Sequence, residues 1–152
     1  MNQDAKAKIV VGVDGSDGSR SALRWAALFA GVMDARIDAV TVWEFVSSFG
    51  WSALPPLSQP HEEIEKKLQQ IVDDVFGPDR PAGLETHVYE GSAASTLVTL
   101  GEHATMIVVG SRGHGQFAGL LLGSVSARVA EHAPCPVVVV HSDGPPEMVK
   151  PS

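Results

Sequence analysis

The sequence predicts an α/β fold: an open five-stranded parallel sheet with helices on both faces. Three observations carry this. Several strand-like runs are short and continuously apolar, as in KIVVGVD, MIVV and VVVVH, which suits strands covered on both faces rather than one. Segments with helical spacing of their apolar residues alternate with these runs. The connections after the first and fourth strands are rich in Gly and Ser. In such sheets ligands sit beyond the carboxyl ends of the strands, where the strand order reverses. If strands one and four are neighbours, in the order 3-2-1-4-5, both Gly/Ser connections meet in one crevice.

A length of 152 residues fits one domain, expected to be ordered over about 8–141. With 44% hydrophobic and 19% charged residues the composition is that of a globular chain. A formal charge of -7 argues against nucleic acid or an anionic membrane as the main partner, because both need clustered Lys and Arg. A phosphate ligand would then rest mostly on backbone dipoles. Cys135 stands alone, so neither an internal disulfide nor a cysteine-based zinc site can form. No apolar stretch is long enough to span a bilayer and none resembles a leader, so no membrane insertion and a cytoplasmic setting are expected.

Residues 8–14 form the first strand, ended by Gly15. A helix follows over 16–32, capped by Ser16 or Ser19, with Asp17 at the positive end of its dipole. Its stripe is Ala22, Leu23, Ala26, Ala27, Phe29 and Ala30, Trp25 belongs to the core, and Gly31 should lie near its terminus. The second strand is RIDAVTV, 36–42, extendable through Trp43 and Phe45. The Ser, Pro and Gly-rich segment 47–60, around Trp51, reads as a flexible loop, solvated or serving as a lid. A helix over 61–76 has apolar residues at Ile64, Leu68, Ile71, Val72 and Val75, and Gly77-Pro78 stops it. The alternation in LETHVYE, 84–90, marks an edge strand with one wetter face. Gly91-Ser92 caps a third helix running through His103. Residues 105–109 are the fourth strand, 110–122 a long loop and 124–133 the fourth helix. Pro134-Cys135-Pro136 breaks the chain before the fifth strand, 137–141, and 142–152 is a tail.

The chemistry concentrates in GSRGHGQFAGLLLGS, 110–124. Five glycines leave a buried strand and end on a helix N-terminus. Gly110 and Gly113 let the chain turn and bring backbone close to a ligand. Gly123 and Ser124 lie where helix-start N–H groups remain unpaired, and the Ser hydroxyl adds a donor, so together they form an anion nest. Neither a Walker Gly-Lys-Ser/Thr nor a GxGxxG after the first strand occurs. Arg112 and His114 are the loop's potential cations, for phosphate or for solvent. Asp14 can serve a ligand, or simply form a turn and help cap the helix after it. The remaining histidines, at 61, 87, 103, 132 and 141, form no short-spaced metal motif and read as ordinary surface or strand residues.

The spacing of Gly110, Gly113 and Gly123-Ser124, the opening strand VVGVDGS and the closing PCPVVVV together resemble the ATP-binding branch of the universal stress protein family, over roughly 8–141. The resemblance implies a Rossmann-like, adenine nucleotide alpha hydrolase-like sheet of order 3-2-1-4-5 and a homodimer paired through the last strand, Val137 to His141. It implies an adenine nucleotide, ATP first, with phosphates on Gly110, Gly113, Gly123 and Ser124; Ser111, Arg112 and His114 of the same loop complete the candidate nucleotide-binding set. Asp14 corresponds to an acidic residue near ribose or a bound Mg²⁺ or Mn²⁺, and Val42 to a strand-two residue whose backbone contacts adenine. Gly12 and Val13 line the same floor, and Val125 matches a further nucleotide contact. The segment 47–60 maps onto nothing in the family pattern. A nucleotide-dependent stress-response switch with little or no turnover is expected, since no general base with a partner is evident. A weak metal-dependent ATPase and a non-nucleotide interaction module of the same fold are the alternatives.

Overall fold

The computed structural model describes residues 6–44, 60–112, 122–141 and Pro145. Five parallel strands, β1 (Lys8–Gly12), β2 (Arg36–Trp43), β3 (Leu84–Glu90), β4 (Met106–Gly110) and β5 (Val137–Val140), form one sheet in the order β3-β2-β1-β4-β5. Helices α1 (Asp17–Met33), α2 (Pro60–Phe76), α3 (Ala93–Leu100) and α4 (Ser124–His132) alternate with them. The expected strand order is the observed one, and the order reverses between β1 and β4.

Each apolar strand feeds two cores because successive side chains point to opposite faces. Ile9 and Val11 of β1 pack with Ala22, Leu23 and Ala26 of α1 and Leu68 and Val72 of α2. Val10, one residue between them, joins Val40, Ile107 and Val109 under Ala94 and Leu97 of α3 and Val129 of α4. This two-sided burial is why β1 reads as an uninterrupted run. Leu23 is fully buried, and its truncation to Ala would cost about 3 kcal/mol. Trp25 packs partly buried against the first core, its ring 5.7 Å from that of Phe29.

Several expected boundaries move by a residue or two, and one differs for a physical reason. Gly31 lies near the end of α1 as expected, and the helix closes after Met33 with Asp34 in the left-handed region at φ 54°. Aspartate tolerates that conformation better than most side chains. The third helix does not run as one α-helix to His103. It stops at Leu100, and Gly101–His103 tighten into a 3-10 turn. A Cβ on Gly101 would lie 3.0 Å from Ile107 Cδ1 and 3.2 Å from Pro134 Cδ, so the turn lies close against β4 and the chain entering β5. Gly77 terminates α2 as expected, at φ 52°. Phe45, Trp51, nearly all of 47–60 and the loop positions 113–121, with Gly113 and His114, lie outside the described residues.

Candidate functional site

A cleft of about 220 Å³ opens where the strand order reverses, at the carboxyl ends of β1 and β4. Its floor is apolar: Val40 and Val42 from β2, Val109 from β4, and Ala93 and Leu97 from α3. Gly12 leaves this floor open, since a Cβ there would reach 3.1 Å from Leu97 Cδ1 and 3.4 Å from Val109 Cγ1. The polar rim is Asp14, Ser16 and Ser19 on one side, and Arg112 with Gly123 to Ser126 on the other. The site therefore has a flat apolar end and a polar end built largely of backbone.

The polar end is the first turn of α4. Gly123 is its N-cap, with extended backbone at φ -72° and ψ 171°, and it supplies no side-chain cap. Its own N–H is not free for a ligand: it donates to the Ser111 carbonyl at 2.6 Å. That finding corrects the expectation that Gly123 offers an unpaired donor. The same carbonyl accepts from Ser126 Oγ at 2.9 Å, with the Gly123 carbonyl 3.2 Å from that hydroxyl. Ser111 N–H in turn donates to Val140 at 2.7 Å. The loop's two ends are thus clasped to each other and to β5. The N–H groups of Ser124, Val125 and Ser126 precede the first intrahelical donor, Ala127 N–H on the Gly123 carbonyl at 3.0 Å, and have no partner among the described residues. The first turn carries no acidic side chain, so the positive end of the helix dipole is uncompensated.

Across the cleft, Asp14 and two serines close the start of α1 on itself. Asp14 Oδ1 accepts from Ser16 N–H at 2.9 Å and from Ser16 Oγ. Ser16 Oγ caps Ser19 N–H at 3.2 Å, and Ser19 Oγ donates to the Ser16 carbonyl at 3.0 Å while accepting from Asp14 N–H. Of the two sequence readings of Asp14, the turn-and-cap role is present in the structure, and the carboxylate also lines the cleft. Gly15 makes the turn possible at φ 85°. Val13 is buried beneath, its N–H on Val40 at 2.8 Å and its carbonyl accepting from Thr41 Oγ1.

Of the expected site residues, the structure gathers Gly12, Val13, Asp14, Val42, Gly110, Arg112, Gly123, Ser124 and Val125 around this one cleft. Ser111 is instead buried at the clasp and does not line it. Gly110 differs in role. A Cβ on it would lie 2.7 Å from the Gly18 carbonyl carbon and 3.0 Å from Gly18 Cα, so its missing side chain serves the contact of β4 with α1 rather than a sharp turn. Gly18, which the sequence reading passed over, is the other half of that contact. Its Cβ would meet the Arg112 carbonyl at 3.2 Å. Ser126 was also missed. A Ser three residues after a Gly N-cap, able to reach back to the cap carbonyl, was the available signal. Cys135, the single thiol, has its pKa raised by burial and packs beside Gly101 just ahead of β5, outside the cleft lining.

The geometry has parallels in known proteins. The family model described as the universal stress protein family matches residues 7–141. A universal stress protein of Mycolicibacterium smegmatis is 37% identical over 142 residues, covering 89% of this chain and 48% of that protein. This chain spans about half the length of the curated relatives it matches. Among solved structures, the universal stress protein UspA from Lactobacillus plantarum superposes with a TM-score of 0.70 at 23% identity, over 90% of this chain and 99% of that one. A universal stress protein in complex with cAMP gives a TM-score of 0.62 at 27% identity, over 90% and 98% of the two chains. No helix among the described residues is long and apolar enough to cross a membrane. With the sheet order, the reversal-point cleft and a family match running from Ala7 to His141, the chain belongs to the universal stress protein family.

Proposed function

We propose that the cleft binds an adenine nucleotide, ATP first, and that the bound nucleotide sets the state of a stress-response switch with little or no turnover. The observation that carries this is the uncapped first turn of α4 opening into a cleft with an apolar floor. A nucleotide needs both: phosphates against unpaired N–H groups at a helix start, and a flat apolar surface under the base. The N–H groups of Ser124 and Val125 take phosphate oxygens beside Arg112, and the base lies on Val40 and Val42. Support comes from the related structure whose ligand is cAMP, an adenine nucleotide. Asp14 is the position for a Mg²⁺ or Mn²⁺ shared with the phosphates. One exposed carboxylate at the rim, with one oxygen already accepting from Ser16, suits a hard ion only where phosphate and water supply the other ligands. β5 is an edge strand of valines, which supports pairing with a second copy through Val137 to Val140.

A thermal-shift series with ATP, ADP, AMP, cAMP and GTP, with and without Mg²⁺ or Mn²⁺, tests the reading. Ligand at about a hundred times its dissociation constant adds about 2.7 kcal/mol, which for a chain of this size raises Tm by roughly 5–10 °C. Adenine nucleotides should give that rise and GTP a smaller one. No rise with any nucleotide would overturn the proposal in favour of an interaction module. ATP found intact after hours in the complex supports a switch, whereas steady ADP release would favour the weak metal-dependent ATPase.

A further inference from the structure

Away from the cleft, three side chains that the sequence scatters over nearly fifty positions converge on one face of the sheet edge. Asp38 of β2 pairs in register with Glu85 of the edge strand β3, and His87 stands two residues further along β3 on the same face. His87 Nε2 lies 3.7 Å from Asp38 Oδ1 and 3.5 Å from Glu85 Oε1, and one ligand atom from each residue lies within 4.8 Å of the others. The two imidazole separations exceed a good hydrogen bond. They are close to the edge of a coordination tetrahedron, about 3.4 Å for donors at 2.1 Å from a zinc ion.

Two neighbours hold the donors in this arrangement. Lys8 Nζ approaches Asp38 at its other oxygen, Oδ2, at 3.5 Å, leaving Oδ1 on the histidine side. The Tyr89 ring stacks beside the imidazole, with centroids 6.3 Å apart and planes at 29°. Access differs by residue: the Asp38 side chain is only 14% exposed while those of Glu85 and His87 are 64% and 37% exposed, so the site has a sheltered base and an open mouth. Two carboxylates beside one lysine leave a net negative charge for a dication to neutralise.

We propose that Asp38, Glu85 and His87 form a binding site for a divalent transition-metal ion of the zinc class. One imidazole with two carboxylates favours a borderline first-row ion over Mg²⁺, and three protein ligands leave a position for water or a partner's side chain. The site is separate from any ion held between Asp14 and phosphates. Asp38 precedes Val42 by four residues along β2, about 13 Å at the rise of a strand.

Calorimetric titration of the nucleotide-free full chain with ZnCl₂ at neutral pH tests this. The expected result is saturable uptake of one equivalent, with MgCl₂ binding at least a hundredfold more weakly. His87→Gln and Glu85→Gln should each weaken zinc at least tenfold, while His103→Gln leaves it unchanged. Far-UV circular dichroism establishes that the variants are folded. Titration with Co²⁺ gives a second readout, since its visible bands should appear with the wild-type chain and vanish with His87→Gln. Absence of saturable zinc uptake, or uptake undiminished in the folded His87→Gln and Glu85→Gln variants, would overturn the proposal.

Discussion

Two helix N-termini face each other across the cleft, and they are finished in opposite ways. The start of α1 is closed: Ser16 caps Ser19, Asp14 bonds Ser16, and Asp17 sits in the first turn against the helix dipole. It is also pressed onto the sheet, Gly18 against Gly110. The start of α4 has a glycine for an N-cap, no acidic residue in its first turn and three N–H groups without an acceptor among the described residues. Both helices could in principle offer an anion site. The difference teaches that one is built to be complete by itself and the other to be completed by something else. Serine caps α3 as well, through Ser92 to Ser95 N–H, so among the helix starts whose cap residue is described α4 is the departure.

The most severe way to break the comparison is to separate α1 from the sheet. In Gly110→Ala the new Cβ would meet Gly18 backbone at 2.7 Å, where no side chain can rotate aside. Overpacking of this kind costs about 3 kcal/mol, within a range that often runs from 1 to 3. Urea denaturation should show a lower midpoint with an unchanged m-value. A paired Gly18→Ala change should not rescue it, because both glycines face backbone. Stability equal to wild type would mean that the two elements separate freely, and the closed character assigned to α1 would be wrong.

How much of this was legible in the sequence depended on whether the signal was local. Continuous valine and isoleucine runs announced strands covered on both faces, and the Gly/Ser turns after β1 and β4 announced where a cleft would form. The clasp was less legible. Ser111, Gly123 and Ser126 meet only because β4, β5 and α4 converge, and no spacing rule predicts that Gly123 N–H is already taken. Gly110 was legible as a cleft residue but its structural role was not: its partner, Gly18, lies 92 residues earlier, and only the fold brings them together. His87 was read as an ordinary strand residue because its neighbour Asp38 comes from another strand. Local chemistry reads well from the chain, while contacts between distant segments require the topology first.

Supplying α4 with the cap that α1 already has is the sharper test. Gly123 has extended backbone with negative φ, so Gly123→Asp requires no strained conformation. Its carboxylate would accept from the first-turn N–H groups and oppose the dipole, stabilising the nucleotide-free protein by about 0.5–1 kcal/mol. The same carboxylate would occupy the donors offered to phosphate and repel it, lowering nucleotide affinity by at least about tenfold, or 1.4 kcal/mol. Tm and calorimetric affinity should therefore move in opposite senses. A variant that gains stability and keeps its affinity would show that the phosphates rest elsewhere.

The smallest effect comes from uncapping α1 instead. Ser16→Ala removes the acceptor of Ser19 N–H and the hydroxyl bonded to Asp14, which should cost about 1 kcal/mol. A loss of that size lowers Tm by roughly 2–4 °C. Although Ser16 borders the cleft, its hydroxyl is already committed to α1 and Asp14, so nucleotide affinity should change by less than about threefold, or 0.7 kcal/mol. Asp14 loses a restraint in this variant, so any change should be larger with Mg²⁺ or Mn²⁺ present than without. Equal affinity loss in Ser16→Ala and Gly123→Asp would erase the distinction between the two helix starts and make the serine a ligand contact in its own right.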